Sequence, residues 1–418
     1  MAAAELPLFR QRNFAALWLG QLISILGDRL TYLGLGGLLL EHTRRATDVR
    51  YPTLLAVQGI VMLAPVLLLA PFTGAYVDRW NLRRVLIWSD VLRAVIVALL
   101  PTLYGLTHHM GWVFSLVFLL FTCNVFFLPA RSAITPAIVR HDQLLAANAL
   151  LTVAGVIATV LGGALGGWVV DHWGWPVAIR IDAATYVVSV VTLALVRYRP
   201  GPREQAHKHA LNRGYLREVA DGWRVVSSHP AVRLSLIALG ATWLAGGFLQ
   251  VAGNAHIQQA ALKPGMERVS VLIGSLALGS ALGIWLIVNP GRTMLRPLQL
   301  GGGLMVVAGM IVAFGVSTRF AVFAIAAFVM GVFAAPSFML PETIVQQAVT
   351  PEQLGRVFSA RDFIMRLIFL VATSAAAPLV RLLGTGPTLL ICATLVGGAG
   401  ALALVWGHRQ PELRTHAG

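Results

Sequence analysis

The sequence predicts an all-α membrane protein with twelve transmembrane helices in two six-helix bundles, and three observations carry that prediction. First, of 418 residues 57% are hydrophobic and 12% are Asp, Glu, Lys or Arg, with a mean hydropathy of +0.76. Soluble domains carry about 25% charged residues, so this chain has too little polar surface to wet a globule. Second, its apolar runs repeatedly reach the roughly 17 to 25 residues that cross a bilayer. They are continuously apolar rather than alternating with period two, which selects helices over a barrel. Third, one long polar gap, RYRPGPREQAHKHALNRGYLREVADGWRVVSSHP, divides the runs six and six.

Breaks at proline, glycine and charge clusters place the spans at about 14–40, 53–78, 85–106, 111–137, 145–170, 176–197, 232–258, 269–289, 298–316, 320–346, 357–382 and 387–407. The first is too long for a signal-peptide core and lacks a small-residue cleavage pattern, so it remains a helix. It carries Gln21, Asp28 and Arg29. The second carries Gln58 and runs into GAYVDRWNLRRV, four charges in seven residues directly after a lipid-soluble stretch. In the third, Asp90 and Arg93 are three apart and can pair on one face. The fourth holds Asn124 and Arg131 with Pro129 and Pro136, and the tenth has Pro336 and Pro341 in matching positions, able to bend both helices. Glycines of VLGGALGGWV in the fifth permit close helix contact. In the sixth, Arg180 and Asp182 point to different faces near the outer end, within reach of headgroups. The seventh carries Gln250, Asn254 and a lone His256, and the eleventh carries Arg356 and an Asp362–Arg366 pair four apart. Interior polar residues such as these amides either line a cavity or form interhelical hydrogen bonds.

Cys123 and Cys392 lie inside spans, so neither a disulfide framework nor a zinc cluster is available. The net charge of +15 does not form one basic face or a nucleic-acid motif, because the Lys and Arg residues fall between spans. With the N-terminus in the cytoplasm, about 19 basic residues lie on the cytoplasmic side and about 7 outside, and both termini are cytoplasmic. The domains are then 1–198, a linker at 199–230, and 231–418. Within the linker, Tyr215, Leu216, Val219, Trp223 and Val226 share a helical face. That helix either lies along the membrane surface or is a solvated linker. HDQLLAANALL at 141–151 resembles PEQLGRVFSAR at 351–361, as a duplicated six-helix unit requires.

Twelve spans, a basic central loop and a charged turn after the second span resemble the major facilitator superfamily, whose loop signature is matched at Gly74, Asp78, Arg79, Arg83 and Arg84. The glycine that the family carries ahead of its arginine pair is absent; Asn81 and Leu82 stand there. Gly74 allows a close helix approach. Asp78 can meet the positive N-terminal end of a neighbouring helix. The resemblance implies that this neighbour is the eleventh span, beginning near Arg356. The arginines hold the loop in the cytoplasm and grip headgroups or acidic side chains. Together with Asp90 these residues read as a cytoplasmic gate. Elsewhere RNFAALWLGQLISILGDRLTYLG, FLPARSAITPAIV and LGGALGGWVVD resemble the branch containing macrolide and enterobactin exporters, and in part the bacterial lysophospholipid transporter. Antiporters of the superfamily carry proline in the fifth span where this chain has Gly163, so the segment reads as packing.

The resemblance implies that the first and fourth spans line the central cavity, where Asp28 and Arg131 can pair. An ionisable group at a span centre costs about 2.5 to 3.5 kcal/mol, so Asp28 binds a proton or cationic substrate, or else makes a fixed salt bridge. Gln21, Gln58, Asn124 and Asn254 complete the candidate cavity set. GxxxxGK[ST] is absent, as are HExxH, GxSxG and paired histidines, so neither direct ATP use nor an enzyme is expected and no cofactor is implied. The expectation is a monomeric secondary transporter of the bacterial inner membrane, exporting amphipathic small molecules, drug or siderophore-like, in exchange for protons. A lysophospholipid flippase is the alternative, with Asp28 and Arg131 on a zwitterionic headgroup, and a membrane receptor is the non-transport alternative.

Overall fold

A computed structural model describes residues 8–43, 48–77, 80–198, 215–260, 265–288 and 297–407. Among the described residues twelve helical segments are long and apolar enough to cross a membrane, and there is no strand. The first six are α1 (Arg12–Thr43), α2 (Arg50–Val77), α3 (Leu82–Thr107), α4 (Met110–Ile138), α5 (Leu144–Trp173) and α6 (Trp175–Leu195). After the linker helix α7 (Tyr215–Ser228), the seventh span runs as α8 (Pro230–Phe248) through a π turn at Leu249–Gly253 into α9 (Asn254–Ala260). Then come α10 (Met266–Val288), α11 (Gly303–Val316), α12 (Phe320–Ala348), α13 (Pro351–Leu383) and α14 (Thr385–Gly407). Flanks of α3 and α6 expose Trp88, Leu99, Val187 and Val191, as side chains solvated by lipid do.

Local chemistry sets the helix ends. Asn81, standing where the loop signature has glycine, caps α3: its side chain accepts the Arg84 backbone N–H at 3.1 Å. Proline opens α8 and α13, where the missing N–H is not needed. The expected repeat shows in backbone detail. α4 and α12 each end on an extended valine, Val139 and Val349, while α5 and α13 each end on a glycine with φ near +86°, Gly174 at 85° and Gly384 at 88°. Both correspondences are about 210 residues apart, the offset of the sequence echo.

Contacts sort the chain into two compact units, Met1–Leu38 with Val61–Asn212, and Leu39–Ile60 with Arg213–Gly418. In the first unit α1 lies against α6 along a stripe of glycines seven residues apart. Gly20 faces Ser189 and Thr192, Gly27 faces Asp182 and Thr185, and Gly34 faces Ile179. A Cβ on Gly34 would sit 2.9 Å from Ile179 Cγ1 and one on Gly20 3.3 Å from Ser189 Oγ. Another face of α1 meets α5, where a Cβ on Gly162 would sit 2.7 Å from the Leu26 carbonyl oxygen. The glycines of the fifth span therefore do what their spacing suggests, bringing backbones together.

Leu39–Ile60 group with the second unit; there Tyr51 donates its hydroxyl to Asn254 Oδ1 at 3.0 Å. α10 and α12 approach closely. Gly279 and Gly283 lie under the Phe328 and Val332 carbonyls, and a Cβ on Gly331 would be 2.8 Å from the Ser280 amide nitrogen. α7 docks on the first turns of α13, with Gly222 against the Arg356 carbonyl, Val226 buried, and the Asp221–Arg224 pair at 3.2 Å turned outward. Gly222→Leu is expected to release α7, with amide exchange across 215–228 speeding about tenfold or more while the spans stay protected. Unchanged exchange there would show that α7 is held by something other than this contact.

Candidate functional site

A chain of buried polar groups crosses the first unit from α3 through α6 to α1. Arg93 pairs with Asp90 on the same helix, as their spacing allows; the two side chains are 3% and 0% exposed. The Arg93 guanidinium also lies between aromatic rings, 4.2 Å from the Phe127 centroid and 4.7 Å from that of Tyr186. Asp90 accepts a second bond, from the Ser189 hydroxyl of α6 at 2.6 Å. One turn further along α6, the Tyr186 hydroxyl donates to Asp28 of α1. Asp182 accepts from Thr31 at 2.5 Å and from Thr185 at 3.1 Å, with Gly27 leaving the space its carboxylate occupies. Two carboxylates with neutral hydroxyl partners thus sit within the span, and one salt-bridged pair adjoins them.

Beside this chain lies a cavity of about 180 Å³. Asp28, Arg29 and Tyr32 form its α1 wall, Phe121 and Asn124 its α4 wall, and Tyr186 its α6 wall. A larger groove of about 590 Å³, lined by Trp80, Arg84, Trp88 and Phe126, runs along α3 and α4 and touches neither carboxylate.

The expected Asp28–Arg131 pair is not formed. Arg131 Nη1 donates instead to Gln21 Oε1 at 2.9 Å. Depth explains the change: Gln21 lies seven residues, about 10 Å, along α1 from Asp28, and Asn124 lies the same distance along α4 from Arg131. On antiparallel helices the levels match as Gln21 with Arg131 and Asp28 with Asn124. Of the other amides, Gln58 is buried and Asn254 holds Tyr51, both in the second unit. Neither joins the cavity.

The gate residues have varied surroundings. Gly74 is in the last turn of α2, and Asp78 and Arg79 lie outside the described residues. The Arg83 guanidinium donates to the carbonyls of Leu193 at 3.3 Å and Ala194 at 2.5 Å, closing the end of α6. Arg84 is exposed and lines the outer groove. Arg356 presents its backbone carbonyl to Gly222, and Asp362 pairs with Arg361 at 2.9 Å rather than with Arg366. His256 has both ring nitrogens engaged, with Thr385 Oγ1 at 2.9 Å and the Ser317 carbonyl at 3.0 Å, a fixed structural role.

Sequence reasoning missed Tyr186 and misplaced Asp182, which is fully buried while Arg180 is exposed. One signal was available. The Gly20–Gly27–Gly34 stripe marks a face of α1 that must meet a close neighbour, and Asp182, Tyr186 and Ser189 lie at helical spacing on that neighbour.

The family profile described as Major Facilitator Superfamily matches residues 17–373. Macrolide efflux protein A of Streptococcus pyogenes is 23% identical over 391 residues, covering 92% of this chain and 93% of its own. A putative bacilysin exporter of Bacillus subtilis (strain 168) is 26% identical over 186 residues, 44% of each chain. Among solved structures, an inward-facing bacterial homolog to the human lysosomal transporter Spinster superposes with a TM-score of 0.71 at 12% identity, over 99% of this chain and 100% of that one.

Proposed function

Because this chain belongs to the Major Facilitator Superfamily, and so is a multi-pass membrane transporter rather than an enzyme, we propose that it exports amphipathic small molecules in exchange for protons, by alternating access. The observation that carries the proposal is the Asp28 carboxylate at the cavity wall, held by the neutral hydroxyl of Tyr186. A charged carboxylate at that depth is expensive, and uptake of a proton erases the charge. Occupancy of Asp28 by a proton can thereby be linked to which state of the transporter is favoured. Asp182, next to it on α6, offers a second proton-binding oxygen pair in the same network.

Export is supported by the roles of the relatives, a macrolide efflux protein and a putative bacilysin exporter. An apolar cavity wall of Met62, Leu120 and Phe121 suits the greasy part of such a molecule. The basic residues between spans favour a bacterial cytoplasmic membrane orientation with both termini inside. The protein acts as a monomer, each copy holding its own polar chain and cavity.

Purified protein in sealed vesicles should move a labelled amphiphile when a pH gradient is imposed, and a protonophore should stop it. Flux that continues unchanged after the gradient collapses would remove proton coupling. Binding without flux under any gradient would favour a receptor.

A further inference from the structure

Every charged group around the cavity has a partner except one. Arg93 is taken up by Asp90 and two rings, and Asp28 accepts from Tyr186. Arg29 has no hydrogen bond or ion pair among the described residues, although it lines the cavity and its Nε is buried without a partner. Asp28, its neighbour in sequence, accepts instead from the Tyr186 hydroxyl and makes no ion pair with it. The stem of Arg29 is held where α5 touches α1: a Cβ on Gly162 would lie 2.9 Å from Arg29 Cβ and 3.2 Å from its Cγ. The stem is therefore positioned, and the partly buried head keeps an Nε without an acceptor among the described residues. Buried guanidinium groups are as a rule matched by an acceptor, and a planar fork of five N–H donors suits a carboxylate or phosphate oxygen pair.

We infer that Arg29 is an anion subsite, and that the transported amphiphiles carry an oxyanion headgroup, a carboxylate or a phosphate, which docks on Arg29 within the cavity. This rests on the transport reading given above and narrows its substrate class. The volume is enough to admit such a headgroup. Asn124 on the facing wall supplies an amide to the same group, and Met62, Leu120 and Phe121 receive the first atoms of the tail.

The test compares N-octanoylglycine, its methyl ester, octyl phosphate and octyltrimethylammonium, measured both for binding to the protein in lipid nanodiscs and for flux in sealed vesicles. The acid and the phosphate are expected to bind about tenfold or more tightly than the ester and the ammonium compound, as a charge-assisted bidentate contact requires. Arg29→Gln should erase that preference while leaving ester binding in place, and Arg29→Lys should keep part of it. If Arg29→Gln fails to accumulate, the acid-to-ester ratio of the natural protein decides alone. Phosphate binding without acid binding, or the reverse, fixes which oxyanion is taken. Equal binding of acid and ester, or an acid preference that survives Arg29→Gln, overturns the inference. The two readings fail separately. Acid-selective binding with no flux of any probe sinks transport but keeps the anion site, whereas equal flux of all four keeps transport and sinks the site.

Discussion

Asparagine at position 28 is expected to leave a folded protein that no longer couples flux to a proton gradient. The substitution keeps the shape of the side chain and an oxygen to accept from the Tyr186 hydroxyl, so the contact between α1 and α6 survives. It removes the one property at issue, the ability to gain and lose a proton. Removing a partly buried carboxylate that has no ion pair among the described residues costs little, so thermal stability should hold or rise slightly. Flux driven by an imposed pH gradient should fall by about a hundredfold or more, the scale expected when a group that must change protonation no longer can. Measuring gradient-driven flux and thermal midpoint on the same preparation separates loss of coupling from loss of fold. Flux that keeps its full dependence on the gradient would move the proton site to Asp182.

Breaking the Asp90–Arg93 pair from one side should have the largest effect on stability. Both side chains are buried, and Asp90 without Arg93 keeps only the Ser189 hydroxyl. Arg93→Leu is therefore expected to destabilise the first unit by about 3 to 5 kcal/mol, the usual penalty for leaving one member of a buried pair uncompensated. The lost placement over the Phe127 and Tyr186 rings adds to this. Replacing both residues, Asp90→Leu with Arg93→Leu, should recover most of that loss, because no charge is then stranded. A double-mutant cycle on accumulation and thermal midpoint reads the coupling directly. Additive single effects would show that the pair does not act as a unit.

The architecture was legible because lipid imposes it. Continuous apolar runs and one polar gap were enough for twelve helices, and the observed spans overlap the expected ones throughout. Asp28 was legible as a costly interior charge. Its partner was not, since periodicity gives the face of a helix but not its depth against another: Arg131 met Gln21 and not Asp28. Asp182 was misread because its distance from the end of the span suggested headgroups, whereas the fold turns it into α1. Arg83 looked like a topology signal, and the Leu193 and Ala194 carbonyls it closes lie more than a hundred positions away. On α7, Val226 is buried and Trp223 of the same expected face is about half exposed, and sequence alone did not identify α13 as a neighbour. The missing loop glycine became intelligible only once Asn81 was seen capping α3.

The glycine stripe on α1 bears on which mutations this region can absorb. Gly20, Gly27 and Gly34 each seat a different group of α6, and Asp28 and Thr31 take their aim from the same register. Adding or deleting one residue between positions 20 and 34 would rotate everything beyond it by roughly 100° and shift it about 1.5 Å along the axis. Swaps of one lipid-facing side chain for another leave that phase untouched. Across a library of variants, indels in this stretch should be almost absent from functional clones, while its outward positions drift freely in identity.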